Sequence, residues 1–248
     1  MDISYEYICT SQSGIPQDAL KHLDMEIIET VGKDISKIFP AFSTAFPFTV
    51  AKMKDMWGQP KLVLKRGLRE WLTFIVIQTD NQNLFFALQP DFMEKEGEEF
   101  DENHQMLPEG WKELYRWFDS FGITKQTFFP GDWLNTPFRY CAKKGLDNYE
   151  DMVGVTRKQT DQFAKDLGCE REALSCWLLT DNKDALFING ESSDGSVYYV
   201  HGKDLEVITK LSNPTGILDK YLAHVISGKL PAEFSFIDHE RNVDTHNK

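Results

Sequence analysis

The sequence predicts an α+β protein whose mainly antiparallel sheet packs against helices. Apolar residues at helical spacing alternate along the chain with short runs rich in β-branched and aromatic residues. The runs are separated by brief Asp, Asn and Gly segments, which leave too little chain for the crossover that adjacent parallel strands need. Both Trp71–Gln78 and Leu84–Gln89 are apolar at nearly every position, as strands covered on both faces would be.

Leu20, Leu23, Ile27, Ile28, Val31, Ile35 and Ile38 predict a helix over 18–39. Pro16 suits its start and Pro40 its end, while Gly32 weakens its middle. A short helical piece is expected over 48–56, before Gly58 and Pro60. The period then changes, and the runs WLTFIVIQ (71–78) and LFFALQ (84–89) flank a polar turn at Asp80, Asn81, Gln82 and Asn83, so the pair predicts a hairpin.

Residues 91–102, DFMEKEGEEFDE, hold seven acids against one lysine. Such a run repels itself into solvent and reads as a linker between two halves. The expected units are therefore 1–103, an α+β half ending in this linker, and 104–248, a second α+β domain with a flexible C-terminal tail.

In the second half, Trp111, Leu114, Tyr115 and Phe118 share one helical face, with Gly122 as the expected stop. Pro130-Gly131 marks a turn, and 149–155 takes no assignment. A helix over 156–167 turns Phe163, Ala164 and Leu167 inward and ends at Gly168. Strands are expected over 173–179, 185–188, 196–200 and 205–208, joined by turns at Asp181-Asn182-Lys183, Asp194-Gly195 and His201-Gly202 as an antiparallel meander. The last strong helix is 216–226, with Ile217, Leu218, Tyr221, Leu222 and Val225 on its apolar face, and 238–248 reads as a mobile tail. Thr79-Asp80-Asn81 and Thr180-Asp181-Asn182 each follow an apolar run and precede another. Two related halves would leave this similarity, and so would two ordinary hairpins.

At 248 residues the chain has room for a substantial core in one large domain or two modest ones. Its 41% hydrophobic and 27% charged residues exclude disorder as the global state. The segment MDISYEYICTSQSG lacks the basic and apolar regions of a secretory signal, and no run of 18 apolar residues occurs, so a cytoplasmic protein without membrane contact is expected. Four scattered cysteines without a CxxC pair suit a reducing compartment, although four can also form two bridges. The net charge of −12 opposes direct contact with nucleic acid, keeps the chain soluble and attracts a basic partner.

No phosphate loop, dinucleotide fingerprint, HExxH or GxSxG motif is present, and no catalytic residue, metal site or cofactor is assigned. Cys169, Cys176, His201 and His224 have donors suited to zinc or thiol chemistry, but Cys176 falls in an apolar run that favours a buried structural thiol. Asp181, Asp184, Glu191 and Asp194 sit near predicted turns without the order of a calcium loop, and read as surface turn acids. A protein-binding face is expected instead. Trp111 and Tyr115 lie on the inward helical face, Trp117 lies off it, and Trp133 follows the Pro130-Gly131 turn. Trp117 and Trp133 are thus the candidate anchors, with Glu96, Glu98 and Glu99 as the charged contact.

Leu107-Pro108 before an aromatic helix, Gly122 near its end, Asp194-Gly195-Ser196-Val197-Tyr198-Tyr199 in a meander, and the closing helix around Leu218, Tyr221 and Leu222 follow in an order that resembles the SUKH superfamily. The resemblance covers about residues 104–228. It implies an α+β fold and a role among proteins that bind partners, many of them bacterial immunity proteins that neutralise toxins. It assigns no catalytic residue. The expected function is non-catalytic binding of another protein, a basic toxin being the partner the resemblance implies, with an intracellular scaffold or regulatory protein and a hydrolytic enzyme as the alternatives.

Overall fold

A computed structural model describes residues 7–21, 23, 28–29, 33, 40–57, 61–66, 71–79, 84–88, 107–117, 120–124, 135–139, 146–180, 183–192, 195–202 and 204–245. The chain forms two compact units, Met1–Glu96 with Glu113–Thr136, and Gly97–Lys112 with Pro137–Lys248. The fold is α+β, with antiparallel sheet packed against helices.

The first unit opens with β1 (Tyr7–Cys9), followed by α1 (Pro40–Ala45) and α2 (Pro47–Trp57). Of the helix expected over 18–39, Ala19–Lys21 is a 3-10 turn, and most of the remainder lies outside the described residues. Pro40, expected to end a helix, begins one. At the first helical position its missing N–H has no bond to lose and its φ is already suitable. Phe42 and Phe46 stack at 5.1 Å between ring centres, and with Val50 and Met53 they form the buried side of the helix pair.

The strands β2 (Lys61–Arg66), β3 (Trp71–Thr79), β4 (Leu84–Leu88), β5 (Ser120–Thr124) and β6 (Asn135–Arg139) join β1 in a six-stranded sheet in sequence order. Each pairing from β1 to β5 is antiparallel, the expected hairpin of β3 and β4 included. The helix at 109–117, α3, buries Trp111 and Leu114 as its periodicity requires. It stops at Trp117, short of Gly122. That glycine lies inside β5 opposite Phe86, because pairing with β4 supplies a strand context that local spacing does not carry. Residues 120–124 therefore belong to the first sheet, although they follow the acidic segment in sequence.

In the second unit, Leu107–Lys112 and Pro137–Arg139 are followed by α4 (Leu146–Val153) and α5 (Arg157–Asp166). Thr156 caps α5 in a capping box with Gln159, and Gly168, at φ 70°, follows its end in a conformation that favours glycine. The strands β7 (Leu174–Leu179), β8 (Ala185–Asn189), β9 (Val197–Val200) and β10 (Ile208–Leu211) then form the antiparallel meander in the order β10-β9-β8-β7. The last strand begins later than expected. The Asp204 carboxylate accepts the Glu206 N–H at 3.2 Å and the Asp204 carbonyl accepts that of Val207 at 3.4 Å, which holds Leu205 in a turn.

Both faces of this sheet are covered, and β7, β8 and β9 are buried or half-buried at every position, whereas the side chains of 71–78 and 84–89, where two covered faces are expected, lie outside the described residues. On one face Leu146, Tyr149 and Val153 of α4 and Phe163 and Ala164 of α5 pack with Leu174, Cys176, Phe187 and Val200. Phe187 meets Tyr149 and Phe163 edge-on, each at 4.9 Å. On the other face lie α6 (Pro214–Ile226) and α7 (Phe236–Thr245). Tyr199 stacks on Phe236 at 4.9 Å, and Phe236 lies 5.0 Å from Tyr221. The tail expected from 238 onward is thus helical to Thr245. Phe236 anchors it to the sheet and Glu240 accepts the Ser212 N–H at 2.8 Å. Among the described residues no helix is long and apolar enough to cross a membrane.

Candidate functional site

Glu96, Glu98, Glu99 and Trp133 lie outside the described residues. Trp117 is the last residue of α3, and its side chain also lies outside them. Among the described residues, the chemically distinctive side chains gather in two places on the second unit.

The first is the end of the sheet where the β7–β8 and β9–β10 turns meet. Asp184 is buried, and its Oδ1 accepts the Gly202 N–H at 3.0 Å and lies 2.8 Å from His201 Nδ1. The Tyr199 hydroxyl stands 3.2 Å from the same imidazole nitrogen and also bonds Asp184. Behind it, the Thr180 hydroxyl accepts the Asp184 N–H at 3.1 Å, and the Tyr149 hydroxyl donates to the Gly202 carbonyl at 3.4 Å. Burial raises the pKa of both tyrosines, and the Asp184 charge raises each further, so both remain phenols. A carboxylate so enclosed is tolerable because its neighbours donate to it. The cluster ties two turns together and orients one imidazole, whose side chain is 70% exposed.

The candidate thiol and imidazole residues have separate surroundings. Cys176 is sealed inside β7, its Sγ donating to the Leu178 carbonyl at 3.5 Å, as expected of a structural thiol. Cys169 is half-buried after α5, with its Sγ 3.6 Å from the Ala164 carbonyl, and burial followed by the charges of Glu191 and Glu170 raises its pKa. His224 Nε2 lies 3.0 Å from the Leu230 carbonyl and its ring meets Phe234. Cys9 and these two described cysteines are free thiols. Among the described residues no three His, Cys, Asp or Glu side chains are placed to hold a metal ion. Asp181 and Asp194 lie outside them, while Asp184 and Glu191 part company, one buried and the other exposed.

The second place is a solvent-open groove of ≈ 570 Å³ beside α5. One wall is the helix stripe Arg157, Asp161 and Lys165, spaced four residues apart, and Ala164 and Gly168 keep the floor low. The other wall comes from residues 169–172 and from Glu191 at the β8–β9 turn, which the 2.7 Å bond from the Gly190 N–H to the Ala173 carbonyl holds beside them.

Arg171 fixes the geometry of this region. Its Nη2 lies 2.5 Å from Asp147 and 2.6 Å from Glu150, and its Nη1 lies 3.3 Å from Asp161 and 2.5 Å from the Thr160 hydroxyl, which in turn donates to Glu150. Burial works against the guanidinium charge, but the bonds to Asp147 and Glu150 outweigh it and raise the pKa. One side chain therefore ties α4, α5 and the segment before β7. Arg157 and Lys165 on one wall, and Glu170, Glu172 and Glu191 on the other, form no ion pair among the described residues.

Sequence reasoning missed both the Arg171 network and the pairing of Asp184 with His201. Asp147 and Asp161 stand 24 and 10 residues before Arg171, and no periodic signal links them. Comparison with protein-family models, with curated proteins and with solved structures finds no match to this chain.

Proposed function

We propose that this chain binds another protein and suppresses it by occupation rather than turnover, as an immunity protein does with a basic toxin. The observation that carries this is the carboxylate wall of the groove. Glu170, Glu172 and Glu191 are exposed and in no ion pair among the described residues, on a chain of net charge −12. Charge of one sign facing solvent steers an oppositely charged surface and accelerates encounter more than it strengthens the complex. The resemblance to the SUKH superfamily agrees with this role. The acidic run containing Glu96, Glu98 and Glu99 adds a second electrostatic contact, and Trp117 and Trp133 are the aromatic anchors, each worth on the order of 2 kcal/mol when desolvated. The cytoplasm is the compartment that suits free thiols and such a partner.

A hydrolytic reading draws on the oriented imidazole of His201, but Cys176, the nucleophile considered for it, is enclosed in β7. Recovering partners from the native organism and measuring association with purified components separates the two. Occupation requires a saturable complex whose on-rate falls as salt rises and falls again in a Glu96→Lys, Glu98→Lys, Glu99→Lys variant. An unchanged on-rate in that variant removes the acidic run from the interface and leaves the groove. Turnover of a small molecule, lost on His201→Ala and with no stable macromolecular partner, defeats the binding role.

A further inference from the structure

We propose that the groove beside α5 seats a short extended segment of the partner whose side chains alternate in sign, Lys or Arg on one side and Asp or Glu on the other. This rests on the protein-binding role above and specifies the chemistry of the segment. The groove is more than an acidic patch, because once Asp161 of the helix wall and Arg171 of the other offset each other at 3.3 Å, the charges left on the two walls are opposite in sign. Arg157 and Lys165 stand on the helix wall, with Asp161 between them already bonded to Arg171. Glu170, Glu172 and Glu191 stand on the other. Among the described residues none of these five bridges the groove, so both signs stay open to a ligand. Arg171 adds little free positive charge to the glutamate wall, since Asp147, Glu150 and Asp161 already surround it.

Length and period fit an extended peptide. From Arg157 to Lys165 the helix rises on the order of 12 Å, about four residues of extended chain. Successive side chains of such a chain point to opposite sides. Alternating sign therefore delivers all the cations to the glutamate wall and all the carboxylates to Arg157 and Lys165, which a segment with its charges in blocks does not do. Space above the floor is available, because a Cβ built on Gly168 would meet nothing within 4 Å.

Two blocked hexapeptides of identical composition test this, one alternating lysine and glutamate, the other carrying its lysines first and its glutamates last. Both are neutral, so the overall charge of the chain does not favour either. Titration followed by amide NMR shifts should show the alternating peptide binding about tenfold tighter, with shifts gathered at 157–172 and Glu191. Glu170→Gln, Glu172→Gln and Glu191→Gln together should erase that preference. The control Asp204→Asn, Glu206→Gln and Glu233→Gln changes net charge equally and should retain it. Equal affinity for the two peptides, or equal loss in the two variants, overturns the proposal. A native partner whose binding is untouched by the three groove substitutions also overturns it, while leaving the protein-binding role standing. If the peptides sort as expected and no macromolecule is found to bind, the groove's selectivity stands and the protein-binding role falls.

Discussion

Asp184 Oδ1 lies 2.8 Å from His201 Nδ1, yet the two side chains are 7% and 70% exposed. The pair is therefore asymmetric. Asp184→Ala leaves the half-buried Gly202 N–H without its acceptor and the Tyr199 hydroxyl with His201 alone, and should destabilise the chain by about 2 kcal/mol. His201→Ala removes an exposed partner and should cost less than about 1 kcal/mol. Urea unfolding of the two variants checks the ranking, and a larger loss for His201→Ala would contradict it.

Arg171 and Glu150 form an enclosed ion pair, with side chains 12% and 14% exposed. Arg171→Ala leaves Glu150 facing Thr160 without its cation. The expected loss is about 3 kcal/mol, with the transition in near-ultraviolet circular dichroism shifted to lower denaturant. Asp147→Asn alters only an exposed arm of the network and should fall within about 1 kcal/mol of the parent.

At the start of α6, Asn213 Oδ1 accepts the Gly216 N–H at 3.0 Å. Asn213→Ala should cost about 1 kcal/mol through the lost cap. Gly216→Ala would ordinarily stabilise a helix, but its Cβ would stand 2.5 Å from Asn213 Nδ2 and displace the capping side chain. Thermal unfolding should therefore show no gain for Gly216→Ala in the parent, and a gain on the Asn213→Ala background where the clash is gone.

His239 stacks on Phe234 at 4.4 Å, and burial, then Lys220, lower its pKa below the ordinary 6.5, with His224 acting the same way and Asp238 opposing. The unfolded chain thus binds a proton that the folded chain refuses. Stability from this site is full above pH 6.5 and is lost as pH falls from there through the folded pKa. His239→Phe keeps an aromatic ring against Phe234 and should flatten the pH dependence of the denaturation midpoint in that range. An unaltered slope in the variant would assign the acid sensitivity to another group.

Elements with their own punctuation were legible in the sequence. The helix expected over 156–167 is observed as Arg157–Asp166, because Thr156, Gln159 and Gly168 mark its ends and Phe163 and Ala164 its inner side. The meander was legible because its turns are polar and its strands apolar on both faces. Short or polar-edged elements were not. Tyr7–Cys9 is too brief to show a period, and Lys61–Arg66 has basic residues at both ends. In Leu146–Val153 the apolar positions 146, 149 and 153 are interrupted by Asp147 and Asn148, which favour turns, so the helix is evident only where those positions meet the sheet. The groove was illegible for a related reason. Glu191 joins Glu170 and Glu172 only because the β8–β9 turn folds back on Ala173, a contact made by strand pairing and not by local pattern. Glu191 was nonetheless marked as a turn acid, and that is where it lies.

The most direct test of occupation is to titrate this chain against the activity of the partner recovered with it. Inhibition should rise linearly and saturate at a fixed molar ratio, remain constant with time, and weaken when Glu170, Glu172 and Glu191 are changed together to glutamine. Activity unchanged at a large excess of the chain, or lost progressively with time at a small fraction of one equivalent, would contradict suppression by occupation.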